Sequence, residues 1–245
     1  MKNWIANISD KVFVLALSLL IAVSFIAVMT SSTSLMTYSL LLFIPLFLIL
    51  YFSKYKYLTF SFIAFLLFSF LGDASCLFFE DDALIKASSV FYFLGFMYLL
   101  IMVLPKFKLS EVQSLVGGYL IGVFSIVLFF LFQIYQVLQD LVNSIIELQL
   151  FGAKSLSLVL LGFISFGVYL NTQTKKSGQF LIATVSLSFS VALNYVSLYY
   201  VHHLEFVVIE RLLYATALYF LFKYTTTNEE DVSLGSAFNR NNVLV

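Results

Sequence analysis

Long apolar runs separated by short polar gaps fill most of this chain, and they leave it few ways to fold. Eight runs read as membrane spans: 12–29, 35–52, 58–79, 84–104, 112–138, 156–170, 180–200 and 206–222. A span needs about 20 mainly apolar residues, within a range of roughly 17–25; the sixth run is the shortest. In hydrocarbon the backbone must satisfy its own hydrogen bonds, so each run is expected to be an α-helix. The short alternating stretches of a membrane barrel are missing. Soluble domains are about 45–50% apolar with roughly 25% charged residues. Here 62% of residues are hydrophobic and 11% charged, more apolar side chain than a soluble core of this length could hide.

The cations orient the spans. Lys2 and Lys11, Lys54 and Lys56, Lys106 and Lys108, Lys175 and Lys176, and finally Lys223 and Arg240 fall in every second gap. The remaining three of the thirteen basic residues are Lys86, Lys154 and Arg211. Short basic loops stay cytoplasmic. The expectation is an all-α polytopic membrane protein with eight transmembrane helices and both termini cytoplasmic. Residues 1–224 form the transmembrane domain. Residues 225–245 are polar and aperiodic and read as a disordered cytoplasmic tail. Lys2 and Lys11 before an apolar run resemble a signal peptide. That run is long and lacks a small-residue cleavage site, so it reads as a retained first span of a plasma- or inner-membrane protein. The net charge is zero, which gives no reason to expect nucleic acid as a partner. Cys76 is the single cysteine, so an intrachain disulfide and a cysteine-based metal cluster are excluded.

Local signals add detail. Pro45 should kink the second span, and Pro105 should end the fourth. Gly118 and Gly122 make a G-x-x-x-G step, read as ordinary helix packing. In the gap 139–155, Leu141, Val142, Ile145, Ile146 and Leu148 recur at helical spacing beside Asp140, Asn143 and Glu147. This predicts an amphipathic helix on the external surface, or else a continuation of the fifth helix.

Asp73 is the sharpest chemical clue, because it lies inside the third span. It is six residues from the outer end of that span, about 9 Å deep at 1.5 Å per residue. An ionised carboxylate there costs on the order of 3 kcal/mol, so it should face the bundle or a watery cavity. A structural carboxyl, hydrogen-bonded to a neighbouring helix, is the other reading. Glu210 and Arg211 open the eighth span, also toward the outer side. Adjacent helical residues diverge by about 100°, so each is expected to find a partner elsewhere. Asp73 or Glu80 is the expected partner of Arg211; if Arg211 instead snorkels to the surface, Asp73 could stay protonated and act as a general acid. Gln133, Gln136 and Asp140 step along one helix face, and Asn194 adds an amide expected to be buried. Gathered in the outer half, these groups suggest one polar cavity opening outward or to the outer leaflet. They do not form a proton wire, which needs acids at several depths. Glu80, Asp81 and Asp82, with His202, His203 and Glu205, lack a recognised ligand spacing and read as a solvated rim, so neither a metal nor a cofactor is expected. No nucleophile elbow, P-loop or dinucleotide fingerprint is present.

Ser69, Gly72 and Asp73 spell S-x-x-G-D in the third span. With eight spans in this length, the chain resembles the YhhN/TMEM86 family of lysoplasmalogenase-like membrane proteins, in span number and order, over nearly its whole length. The aromatic run 214–224 is similar to that family's Tyr-rich last helix. Phe96 follows Gly95 where the family has a histidine, and Ser188-Phe189, with Asn194 nearby, stands where it has a second Ser-Asp. The resemblance implies hydrolysis of the vinyl ether bond of a lysophospholipid. Asp73 would be the central acid, Glu210 the candidate second carboxylate and Arg211 the group tuning them. Ser69, Gln133, Gln136 and Asn194 would contact substrate. The alternative reading is a non-enzymatic protein that binds a lipid or small molecule as a sensor or transporter. The expected partners are a lipid and the membrane; the oligomeric state stays open.

Overall fold

The computed structural model describes residues 2–30, 33–52, 59–107, 114–142, 144–200 and 204–226, and among them there are helices and short connections but no strand. The helices are α1 (Lys2–Met29), α2 (Thr33–Leu41), α3 (Phe43–Phe52), α4 (Phe60–Ala74), α5 (Asp81–Val103), α6 (Ser114–Leu141), α7 (Ile145–Thr172), α8 (Lys175–Tyr199) and α9 (Leu204–Thr226). Single 3₁₀ turns extend α4 (Ser75–Leu77) and α5 (Leu104–Lys106). Of the eight expected spans, five meet the length and hydropathy needed to cross a membrane: Phe60–Leu77, Ala83–Lys106, Gly117–Leu141, Ile145–Thr172 and Lys175–Tyr199. Val14–Ala27 and Tyr38–Ile49 are shorter apolar stretches. The helix α9, expected as the eighth span, carries Glu210, Arg211 and Lys223 along its length. The expected tail falls outside the described residues beyond Thr226.

Proline acts where expected. Pro45 has no N–H to donate and its ring crowds the carbonyl four residues back, so the second run is split at Leu42 into α2 and α3. Leu46 N still bonds Leu42 O at 3.0 Å, which keeps the two pieces continuous. Pro105 lies in the 3₁₀ turn that closes α5. Between α7 and α8, Gln173 takes a left-handed φ of 46°. Thr174 then caps α8, its hydroxyl accepting from Ser177 N at 3.1 Å while Ser177 Oγ accepts from Thr174 N at 3.2 Å.

The gap 139–155 departs from expectation. Residues from Ile145 onward belong neither to a surface helix nor to the fifth span; they are the first turns of α7, one helix running to Thr172. The polar residues Glu147, Lys154 and Ser155 are buried. The inward face of these turns mixes Glu147, Lys154 and Ser155 with Leu148 and Phe151, so the charged residues read as a gap although the whole of α7 is apolar enough to span.

The main core joins α1, α3, α4, α5, α7, α8 and α9 around Phe43, Phe47, Phe62, Phe65, Phe96 and Phe222, each almost inaccessible. Between apolar helices in a membrane the attraction is close packing rather than escape from water. Some of the aromatic rings meet edge to face, as in Phe47–Phe222 at 5.8 Å and 86°, and others are tilted, as in Phe47–Phe62 at 57°; such pairs are worth about 0.5–1.5 kcal/mol each. Gly167 shows how tight the fit is, since a Cβ there would lie 2.3 Å from Phe107 Cε2. By contrast α6 packs mainly on α7, and 6% of its apolar window is buried. A Cβ on Gly118 or Gly122 would meet nothing within 4 Å. The G-x-x-x-G step therefore does not pack two described helices of this chain together.

Candidate functional site

The ends of α4 and α8 and the beginnings of α5, α7 and α9 meet at one end of the bundle, and Asp73 is at their centre. It occupies the last turn of α4, is 3% exposed and points toward neighbouring helices. The Tyr92 hydroxyl of α5 donates to Oδ1, and the Tyr214 hydroxyl of α9 donates to Oδ2 at 3.4 Å. Gly72 favours this contact: a Cβ there would stand 3.0 Å from Tyr92 Cε2, so the ring lies closer to α4 than a side chain at this position would comfortably allow.

A cavity of about 400 Å³ opens beside this carboxyl. Asp73, Tyr92, Lys154, Tyr195, Glu210 and Arg211 line it, together with Ser88, Ser89, Ser190 and Asn194. Leu40, Leu84, Ile85, Leu187, Val191 and Leu198 make its apolar wall. The cavity is thus amphipathic: two carboxyl and two basic side chains on one part, aliphatic surface on the rest.

The charged groups are arranged unevenly. Arg211 Nε lies 3.6 Å from Glu210 Oε2, so the neighbours do pair with each other, contrary to the expectation from their diverging Cβ directions. Long side chains can fold back across that angle, and the contact is correspondingly long. No ion pair joins Arg211 to Asp73 or Glu80 among the described residues. Arg211 Nη1 is buried without a hydrogen-bond partner. Ser190 Oγ donates to the Glu210 carbonyl at 3.2 Å, which ties α8 to α9 at the cavity wall. Lys154 is 7% exposed. Its ammonium stands 4.5 Å from the Tyr195 ring centroid and 5.6 Å from that of Tyr92. Such contacts are worth about 2 kcal/mol when desolvated. The nearby acid of α7, Glu147, accepts instead from the Tyr199 hydroxyl.

Of the residues singled out in the sequence, Asp73, Glu210, Arg211 and Asn194 come together at the cavity. Asn194 is exposed rather than buried. Ser69 does not line it: it lies one helical turn earlier on α4, 1% exposed, its hydroxyl unpartnered and 3.4 Å from where a Cβ of Gly95 would be. Gln133 and Gln136 share a helix face, as their spacing predicts, but that face of α6 turns away from the bundle and both are exposed. Glu80 and Glu205 are exposed; His202 and His203, and the side chains of Asp81 and Asp82, lie outside what is described. Phe189, at the place of the second Ser-Asp, is 60% exposed and points away from the cavity.

Sequence reasoning missed Tyr92, Lys154, Tyr195 and Tyr214. Lys154 carried a signal, being one of three cations outside the alternating gaps. Tyr214 stood in a visible aromatic run. Tyr92 and Tyr195 look like ordinary span residues, since a tyrosine ring is apolar enough to pass unnoticed. Searches of protein-family models, of curated proteins and of solved structures find no match to this chain.

Proposed function

We propose that this chain is an integral membrane protein that takes a single-chain lipid into the cavity and hydrolyses a vinyl ether bond in it, as lysoplasmalogenase-like proteins of the YhhN/TMEM86 type do. The observation that carries the reading is Asp73, a buried carboxyl beside an amphipathic cavity that also holds Glu210. The aliphatic wall suits an acyl or alkenyl chain, and the polar part suits a headgroup. In such a reaction an acid delivers a proton to the vinyl carbon, giving an oxocarbenium ion. Water adds to that cation, and the hemiacetal collapses to a free aldehyde and an alcohol. Asp73 is assigned the proton transfer, and Glu210 the water and the developing positive charge.

All eight runs are taken as spans, the sixth lengthened to Ile145–Thr172, with both termini cytoplasmic, which puts the cavity at the outer side. The basic clustering supports this sidedness. Lys106 donates to the Tyr224 hydroxyl at 3.1 Å, and Lys176 stands 5.6 Å from the same ring, at the end of the bundle away from Asp73.

Purified protein in a nonionic detergent, given a lysoplasmalogen, is expected to release aldehyde, and Asp73→Asn should abolish the release. Release unchanged by that substitution refutes the role of Asp73. A second reading, binding without turnover, is favoured by a specific observation: Asp73 already accepts from two tyrosines, and Phe189 supplies no second acid. It predicts that lysoplasmalogen raises the unfolding temperature while no aldehyde forms.

A further inference from the structure

Lys154 has no role in the reaction just described, yet it is a buried cation in the cavity wall. It lies nine residues into α7, about 14 Å from the start of that helix at 1.5 Å per residue. It is more than nine-tenths buried, and among the described residues no carboxylate stands within ion-pair distance of it. The faces of Tyr92 and Tyr195 spread its charge but do not neutralise it. A buried cation is ordinarily held by a counter-charge, and here the neighbouring acids are engaged elsewhere. Asp73 takes two tyrosine hydroxyls, Glu147 takes a third, and Glu210 faces Arg211. The same cavity holds a second incomplete group, Arg211, whose Nε meets Glu210 while Nη1 meets nothing. Two cations therefore line one space, together with Asp73, Glu210 and several hydroxyls, and the apolar part of its wall is aliphatic.

We propose that Lys154 is an anion subsite that binds a phosphate group, with Arg211 a second cation elsewhere on the same cavity and the attached hydrocarbon chain lying along Leu84, Ile85, Leu187, Val191 and Leu198. A lysine ammonium is a strong point-charge partner for phosphate oxygens. Phosphate is the anion that the headgroup of a single-chain phospholipid would bring to that ammonium. The inference rests on the cavity taking a single-chain lipid, and it specifies which part of that lipid is recognised.

The test is binding, read as the unfolding midpoint of the full chain in a nonionic detergent. The probes are a saturated lysophosphatidylcholine, a monoacylglycerol of the same chain length, and inorganic phosphate. The lysophospholipid is expected to bind about tenfold more tightly than the phosphate-free lipid, the size of one well-made charge contact. Lys154→Met should bring that ratio close to one, and Lys154→Arg should keep most of it. Should Lys154→Met fail to fold, the comparison of the probes on the unaltered chain and on Lys154→Arg still decides. Equal affinity for the two lipids overturns the subsite, as does a full preference in Lys154→Met. Protection by inorganic phosphate as strong as by the lysophospholipid keeps the subsite and makes the free anion its occupant. A phosphate preference without aldehyde release from a lysoplasmalogen leaves the subsite standing and removes the hydrolysis; aldehyde release without the preference does the reverse.

Discussion

Gly72 and Tyr92 face each other where α4 crosses α5, and the missing side chain of the first sets the position of the second. The Tyr92 ring lies 3.0 Å from where a Cβ would be, and its hydroxyl reaches Asp73, one residue farther along α4. Gly72→Ala must push that ring aside by a few tenths of an ångström, and Gly72→Val by more. Overpacking of this kind costs about 1–3 kcal/mol. Thermal unfolding in detergent should show a lower midpoint for Ala and a lower one still for Val. An unchanged midpoint for Val would mean the helices are not in contact there.

The two hydroxyls on Asp73 are unequal. Tyr92 makes the shorter bond and Tyr214 one of 3.4 Å, close to the limit of a useful hydrogen bond. Tyr92→Phe leaves a buried carboxyl oxygen short of a donor and should cost about 1–3 kcal/mol, whereas Tyr214→Phe should cost about 1 kcal/mol or less. The ranking is read from paired melting curves. A greater loss in Tyr214→Phe would contradict the geometry.

Gly167 and Phe107 offer a test far from the cavity. Gly167→Ala places a methyl group where the Phe107 ring edge lies, at 2.3 Å, so the single change should be strongly destabilising. Phe107→Ala removes the obstacle at the cost of a partly buried ring. The double variant should be more stable than the sum of the two losses predicts, with a coupling of about 0.5–3 kcal/mol. Additive losses would place the ring elsewhere.

Gln133 and Gln136 face away from the bundle. Replacing both by leucine should leave aldehyde release and lipid binding within about twofold of the unaltered chain, as expected for surface positions. A larger loss, measured in the same aldehyde assay, would return α6 to the site.

Helices were legible because the chain is apolar along their whole length, and the breaks at Leu42 and after Val103 were legible because proline has no N–H. Asp73 stood out for the same reason: a carboxyl inside an apolar run must be facing something. What the sequence did not carry was rotation about the helix axis. The spacing of Gln133 and Gln136 put them on one face without saying which way that face turns. The start of α7 was obscured by Glu147 and Lys154, whose burial depends on Tyr199, Tyr195 and Tyr92 from other helices. The pairing of Glu210 with Arg211 turned on side-chain bending, which residue spacing does not describe.

The rings that shelter Lys154 belong to α5 and α8, one made before α7 in the chain and one after it. Entering hydrocarbon alone, α7 would carry a bare ammonium, at a penalty of about 3 kcal/mol. Tyr92 is already waiting when that helix arrives; Tyr195 comes only with the next one. Insertion of α7 is therefore completed by its successor, so a chain truncated between the two should leave this helix poorly anchored in the bilayer.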